Sequence, residues 1–249
     1  MILMLKCLHS HIYKIVKSPL FYITILWPII YVGLFIAYYS VSSWSIEQNI
    51  SGFFQALSLF MDCLVVMLCT GIVQQEQRAG SSFNILCVGK SRIQMLISLV
   101  ILLIIMTGLS LIIAVAGFAL LYGKMLTICY VLATILMLIP LICLVFIHLF
   151  IAFKFGTSWS IGSGVIFILV GALGCTGLLD KFWYYLPPTW AVRFSSLMIL
   201  DAFHTDYILK IASELRYGLL ICVIVTIALV TLVPIWFNKW DGRADNSDE

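Results

Sequence analysis

Residues 74–92 read QQEQRAGSSFNILCVGKSR. They form the longest polar interruption in the first two-thirds of the chain, and apolar runs flank them at 52–73 and 93–121. Glu76 opens the stretch, Gly80 follows, and Lys90-Ser91-Arg92 closes it. Each flanking run has the ~20 apolar residues needed to cross a hydrocarbon core of about 30 Å. A charged connector between two such runs belongs in water on one face of the bilayer, because hydrocarbon satisfies neither its charges nor its backbone. Those residues can address solvent or a partner.

Composition points the same way. Hydrophobic residues make up 63% of the 249 and charged residues 10%, with a mean hydropathy of +1.14. A soluble domain carries roughly a quarter charged residues, so this chain is read as an integral membrane protein. A net charge of +3 with no basic stripe argues against nucleic acid. The eight cysteines fall mostly within apolar runs and include no CxxC pair. They behave as small buried hydrophobes, which excludes a disulfide framework and a zinc site.

The pattern predicts an all-α, single-domain membrane protein over 1–249, with six spans near 20–40, 52–73, 93–121, 126–153, 161–179 and 217–237. Ahead of them, Leu5, Leu8, Ile12, Ile15 and Val16 recur at helical spacing, with Lys6, Lys14 and Lys17 largely off that stripe. This predicts an amphipathic helix along the inner leaflet. Pro28 and Pro140 are expected to kink the first and fourth spans. Gly162, Gly164, Gly171, Gly174 and Gly177 predict close helix packing along the fifth. With the N-terminus inside, the cytoplasmic segments hold Lys6, Lys14, Lys17, Arg78, Lys90, Arg92, Lys154, Lys239 and Arg243, against Lys124, Lys181, Arg193, Lys210 and Arg216 outside. That asymmetry places both termini and the polar tail 238–249 in the cytoplasm.

The outer segment 180–216 gathers Trp183, Tyr184, Tyr185 and Trp190 around Pro187-Pro188, followed by an apolar stretch too short to span. It reads either as an interfacial aromatic anchor or as a substrate-contacting outer surface, with one or two short helices lying on the outer membrane face or dipping slightly into it.

Chemistry-bearing residues are few. Residues 84–91 fit a phosphate-loop pattern except that Asn84 replaces the first glycine. No strand precedes them and no nucleotide-binding domain surrounds them, so the match is accidental. Asp62 is the one acid well inside a span. A carboxylate at that depth costs on the order of 2.5–3.5 kcal/mol, so it should face the protein interior, as a polar clamp or as a substrate or gating contact. His148 has no second ligand at helical spacing and reads as a packing residue. With one intramembrane acid and no nucleophile–base set, the chain is not expected to be an enzyme or to bind a metal or cofactor.

Gln75-Glu76, Gly80, Ile85-Leu86 and Ser91-Arg92, set between the second and third of six spans, resemble the inner loop of type-2 ABC exporter permeases. That loop reads Glu, Gly, a short apolar pair, then Arg before the next span. The amphipathic N-terminal helix, the six spans and the longer outer loop before the last one match that architecture along nearly the whole chain. The chain's size and the EQRAG…KSR wording resemble the lantibiotic self-immunity permeases of Gram-positive bacteria. The resemblance implies a permease subunit of the bacterial plasma membrane, paired with a second permease, homologous or identical. It also implies a cytoplasmic ATPase subunit that carries the ATP and Mg. Glu76, Gly80, Ile85, Leu86 and Arg92 would couple ATP hydrolysis to the spans, and the cargo would be a membrane-active amphipathic peptide. The same architecture could export a lipid, polysaccharide or drug, or serve as a membrane sensor or assembly partner. A secondary transporter fits less well, because no inverted repeat or ion-site pair is evident.

Overall fold

A computed structural model describes residues 2–78, 92–203 and 208–240. Among the described residues there are eight α-helices, two short 3-10 turns and no strand. They are α1 (Ile2–Val16), α2 (Pro19–Val41), α3 (Ile46–Arg78), α4 (Arg92–Tyr122), α5 (Thr127–Lys154), α6 (Thr157–Gly174), α7 (Pro187–Phe203) and α8 (Ile208–Asn238). Six of these, α2 to α6 and α8, are long and apolar enough to cross a membrane, and the chain is a multi-pass membrane protein.

Local sequence sets the helix boundaries. Ser18 caps α2 by accepting the Leu20 N–H, and Pro19 occupies the first turn, where a missing N–H costs nothing. Gly156, at φ 101°, turns the chain between α5 and α6. That left-handed turn starts α6 at Thr157 rather than near 161, and a 3-10 turn at Gly177–Leu179 follows its end at Gly174. Gly177 therefore lies outside the helix. The helix α3 runs to Arg78, so the first five residues of the 74–92 stretch extend a span. At the last span, Ile208–Asn238 begins well before 217.

Packing centres on α3. Phe53, Phe54, Leu57, Met61, Leu64 and Leu68 are almost fully buried along it, and α2, α4, α5, α6 and α7 all contact it. Phe53 stacks on Phe118 of α4 at 3.8 Å with an interplanar angle of 7°. Glycines set the closest approach of α6. A Cβ at Gly164 would fall 2.6 Å from Val66 Cγ2, and one at Gly171 would fall 2.9 Å from Leu59 Cδ2. Gly162 has open space and takes no part in that packing.

The two ends of the bundle differ. At one end, called here the α1 end, α1 meets the end of α3, and the start of α4 meets the end of α8. At the opposite end, Asn49 donates to the Tyr122 hydroxyl at 2.9 Å within a cluster of Tyr39, Phe118 and Tyr130.

The short helix α7, expected on the outer membrane face or dipping slightly into it, is packed against α3, α5, α6 and α8 of the bundle. Seventeen residues give about 25 Å of helix, less than a crossing. Trp190 Nε1 donates to Tyr184 O at 3.0 Å, and Thr189 Oγ1 donates to Trp183 O at 2.9 Å. These bonds satisfy the polar atoms of the turn before α7, and so its aromatic rings can be buried.

Candidate functional site

α3 ends at Arg78 and α4 begins at Arg92, and these two roots of the polar stretch form the candidate site. Gly80, Ile85 and Leu86 lie outside the described residues. Glu76, expected to project toward a partner, is instead 2% exposed, in the last turn of α3. Lys14 Nζ donates to Glu76 Oε1 at 2.8 Å, and His11 Nδ1 lies 3.7 Å from the same oxygen. One residue earlier, Gln75 Nε2 donates to Ser18 Oγ at 2.7 Å. Glu76 is thus an internal clamp. A buried carboxylate needs donors; α1 supplies Lys14 to Oε1, while Oε2 has no hydrogen-bond partner among the described residues.

The α1 side of the clamp was legible but unread. His11 and Lys14 stand three residues apart and share a helix face. His11 is 5% exposed, and burial lowers its pKa below the ordinary imidazole value, against the upward pull of Glu76. Lys14 stays partly in water, at 42% exposure.

Arg92, the first residue of α4, is also engaged within the chain. Its Nη1 donates to Trp240 O at 2.9 Å and to Asn238 O at 3.4 Å. A helix C-terminus leaves carbonyls without intrahelical partners and carries partial negative charge, so a guanidinium there is favourable. Phe153 packs on Phe237 and Trp240 beside it. Both roots of the connector are therefore braced, one to α1 and α2, the other to the end of α8.

Asp62 lies midway along α3 and is 2% exposed. Neither carboxyl oxygen has a hydrogen-bond partner among the described residues. It faces the seam with α6 and α7. A Cβ at Gly171 would lie 3.5 Å from Asp62 Oδ2 and 3.1 Å from Pro188 O. The packed seam around the carboxyl agrees with an interior placement.

The outer aromatic group divides. Trp183 and Trp190 are 2% and 0% exposed, so they cannot form a substrate-contacting surface. They pack with Phe194, Cys143 and Cys222 in a second core cluster. Gly218 of α8 is needed for that fit, since a Cβ there would sit 2.6 Å from Trp183 Cη2. Tyr184 is partly buried beside them, and only Tyr185 of the four is open, at 69%. His148, fully buried in α5, approaches Ser160 Oγ at 3.4 Å and Phe167 edge-on, as a packing residue would.

No family model, curated protein or solved structure matches this chain.

Proposed function

We propose that this chain is the permease subunit of an ATP-driven ABC exporter of the bacterial plasma membrane, expelling a membrane-active amphipathic peptide as lantibiotic self-immunity permeases do. The observation that supports this reading is the bracing at the roots of the 79–91 segment. Glu76 ties the end of α3 to Lys14 and His11 of α1, while Arg92 ties the start of α4 to the end of α8. A load placed on that segment would move four helices together, as coupling to an external motor requires. In this role Gly80, Ile85 and Leu86 meet the ATPase, and Glu76 and Arg92 carry force inward without touching it. The ATPase holds ATP and Mg, and a second permease, identical or homologous, completes the membrane unit. Amphipathic cationic peptides lie in the interface, so the exporter takes its cargo from the bilayer.

The Lys and Arg asymmetry orients the α1 end toward the cytoplasm. A cysteine replacing exposed Ser43 should then react with a membrane-impermeant reagent outside cells, in a chain lacking its native cysteines, while one replacing Lys154 should not. The decisive experiment is purification of the tagged chain from its native membrane in mild detergent. The expected result is a co-purifying ATP-hydrolysing subunit, lost on replacing Ile85 and Leu86 by Asp. A fully folded chain that carries no ATPase would contradict the reading.

A further inference from the structure

Four polar residues of α3, Ser51, Gln55, Ser58 and Asp62, follow one another at i+4, i+3 and i+4 and so share one face of the helix. At 1.5 Å per residue the stripe is about 16 Å long, roughly half of a ~30 Å hydrocarbon core. It starts at the end of the bundle opposite α1, where Ser51 and Gln55 are half-buried, and it ends at the buried Asp62. The helix α7 runs alongside. Gln55 Nε2 donates to Ser51 Oγ and to Ser196 Oγ of α7, each at 3.3 Å, and Asp62 Oδ2 and Pro188 O both border Gly171. Beyond Asp62, toward Glu76, the same face carries Val65, Cys69 and Val73, all fully buried. The Cys69 thiol is taken up by Val145 O at 3.8 Å. The polar stripe therefore reaches Asp62 from one end only.

Packing between helices accounts for the start of the stripe and not for its end. Polar residues that join membrane helices do so by hydrogen bonding, as Gln55 does with Ser196, and Ser58 Oγ donates to Phe54 O at 2.8 Å. Asp62 is different: it is buried, and both its carboxyl oxygens lack a partner among the described residues. The helices around it bring no counter-ion. No residue of α6 is charged. On α7, Arg193 is turned to Asp180 and Thr176 O, and Asp201 stands near the far end. His148 of α5 lies by Ser160 at the start of α6, and Cys143 packs with Trp190. Arg92 of α4 is at the α1 end, and the Tyr31 hydroxyl of α2 donates to Phe53 O. Cys63 is the titratable neighbour on α3 itself. A carboxylate in these surroundings has neither donor nor cation, and an added proton supplies what is missing. Intramembrane acids of this kind mark ion and proton pathways.

We propose that Asp62 is a proton-binding site, loaded and unloaded from the end of the bundle opposite α1 along Ser51, Gln55 and Ser196. The proton comes from water at that end, adds to one carboxylate oxygen, and returns to water by the same route. Val65 and Val73 close the site toward α1. The site needs neither an ATPase nor a cargo, so it stands apart from the function proposed above.

The test uses the full chain in sealed vesicles treated with dicyclohexylcarbodiimide, a hydrophobic reagent that adds to a carboxyl carrying its proton. Mass spectrometry of the peptide containing residue 62 reads the label, and Asp62→Asn is the unlabelled control. Protease removal of an N-terminal tag shows, in the same vesicles, on which side α1 lies. Labelling should fall several-fold as the pH on the side opposite α1 is raised, and should ignore the pH on the α1 side. Gln55→Leu, which removes the amide between Ser51 and Ser196, should lose most of that dependence. Ser196→Ala, a smaller change, should lose part of it and covers the case in which Gln55→Leu does not fold. Labelling of the folded parent that follows the pH on the α1 side, or follows neither side, would overturn the proposal. An unaltered dependence in the folded variants would overturn the route.

Discussion

Lys14 Nζ donates to Glu76 Oε1 at 2.8 Å, joining residues 62 positions apart and fastening α1 to the last turn of α3. The carboxylate is buried and the ammonium is partly in water, so screening weakens the Coulomb part of the pair. What matters more is that Glu76 would be left without its charged donor. Lys14→Met should lower the unfolding free energy by about 1–3 kcal/mol, and Glu76→Gln by less, because the amide oxygen still accepts. Unfolding in detergent, followed by helicity, gives both values. The double variant Lys14→Met/Glu76→Met should destabilise by less than the sum of its singles. Strict additivity would mean that the two residues are uncoupled.

His11 makes the same clamp sensitive to acid. Burial holds its folded pKa below the ordinary 6.5, so the unfolded chain takes up the proton more readily than the folded one. Stability contributed by neutral His11 is therefore complete above about pH 6.5 and falls as the pH drops from there toward the folded pKa. A series of unfolding transitions between pH 7.5 and 5 should show this slope, and His11→Gln should flatten it. An equal slope in both proteins would assign the effect to other groups.

Gly164 and Gly162 are two residues apart in α6 and should behave oppositely. A Cβ at Gly164 meets Val66 Cγ2 at 2.6 Å, whereas at Gly162 nothing lies within 4 Å. Gly164→Ala should cost about 1–3 kcal/mol through overpacking. Gly162→Ala should be neutral or slightly stabilising, since alanine favours helix. Melting temperatures of the two variants in one detergent decide the matter.

At Asp62, shape should matter more than charge. Asp62→Asn retains the shape in the seam beside Gly171 and Pro188, and should assemble like the parent. Asp62→Leu places a branched, bulkier side chain where Gly171 leaves little room, and should reduce the yield of monodisperse protein. If both variants assemble normally and both lose transport, the carboxylate acts in transport rather than in packing.

The helical character and the number of spans could be read from the sequence, because runs such as 93–121 are apolar throughout and only helices of that length satisfy their backbone in hydrocarbon. That α1 is a helix was legible by its spacing, but its buried face carries His11 and Ile15 while Ile12 and Val16 of the apolar stripe are exposed. The fate of Glu76 was not legible. A polar residue next to a span reads as solvent-facing until its donor is known, and Lys14 is 62 positions away. Trp183 and Trp190 were misplaced for a related reason: aromatic residues near prolines signal an interface. Their burial depends on Gly218, in another helix, and on backbone acceptors formed by the turn itself. Both errors concern long-range pairing, which local pattern does not encode.

The central claim is that the 79–91 segment, braced through Glu76 and Arg92, passes the work of ATP hydrolysis to the spans. Its most direct measurement is ATP-dependent uptake of a labelled lysine-rich amphipathic peptide into inverted membrane vesicles containing the chain and its ATPase. Uptake should require ATP hydrolysis and should vanish in Glu76→Ala, while that variant remains inserted and ATPase activity changes. Full ATP-driven uptake in Glu76→Ala, or equal uptake in vesicles lacking the chain, would contradict it.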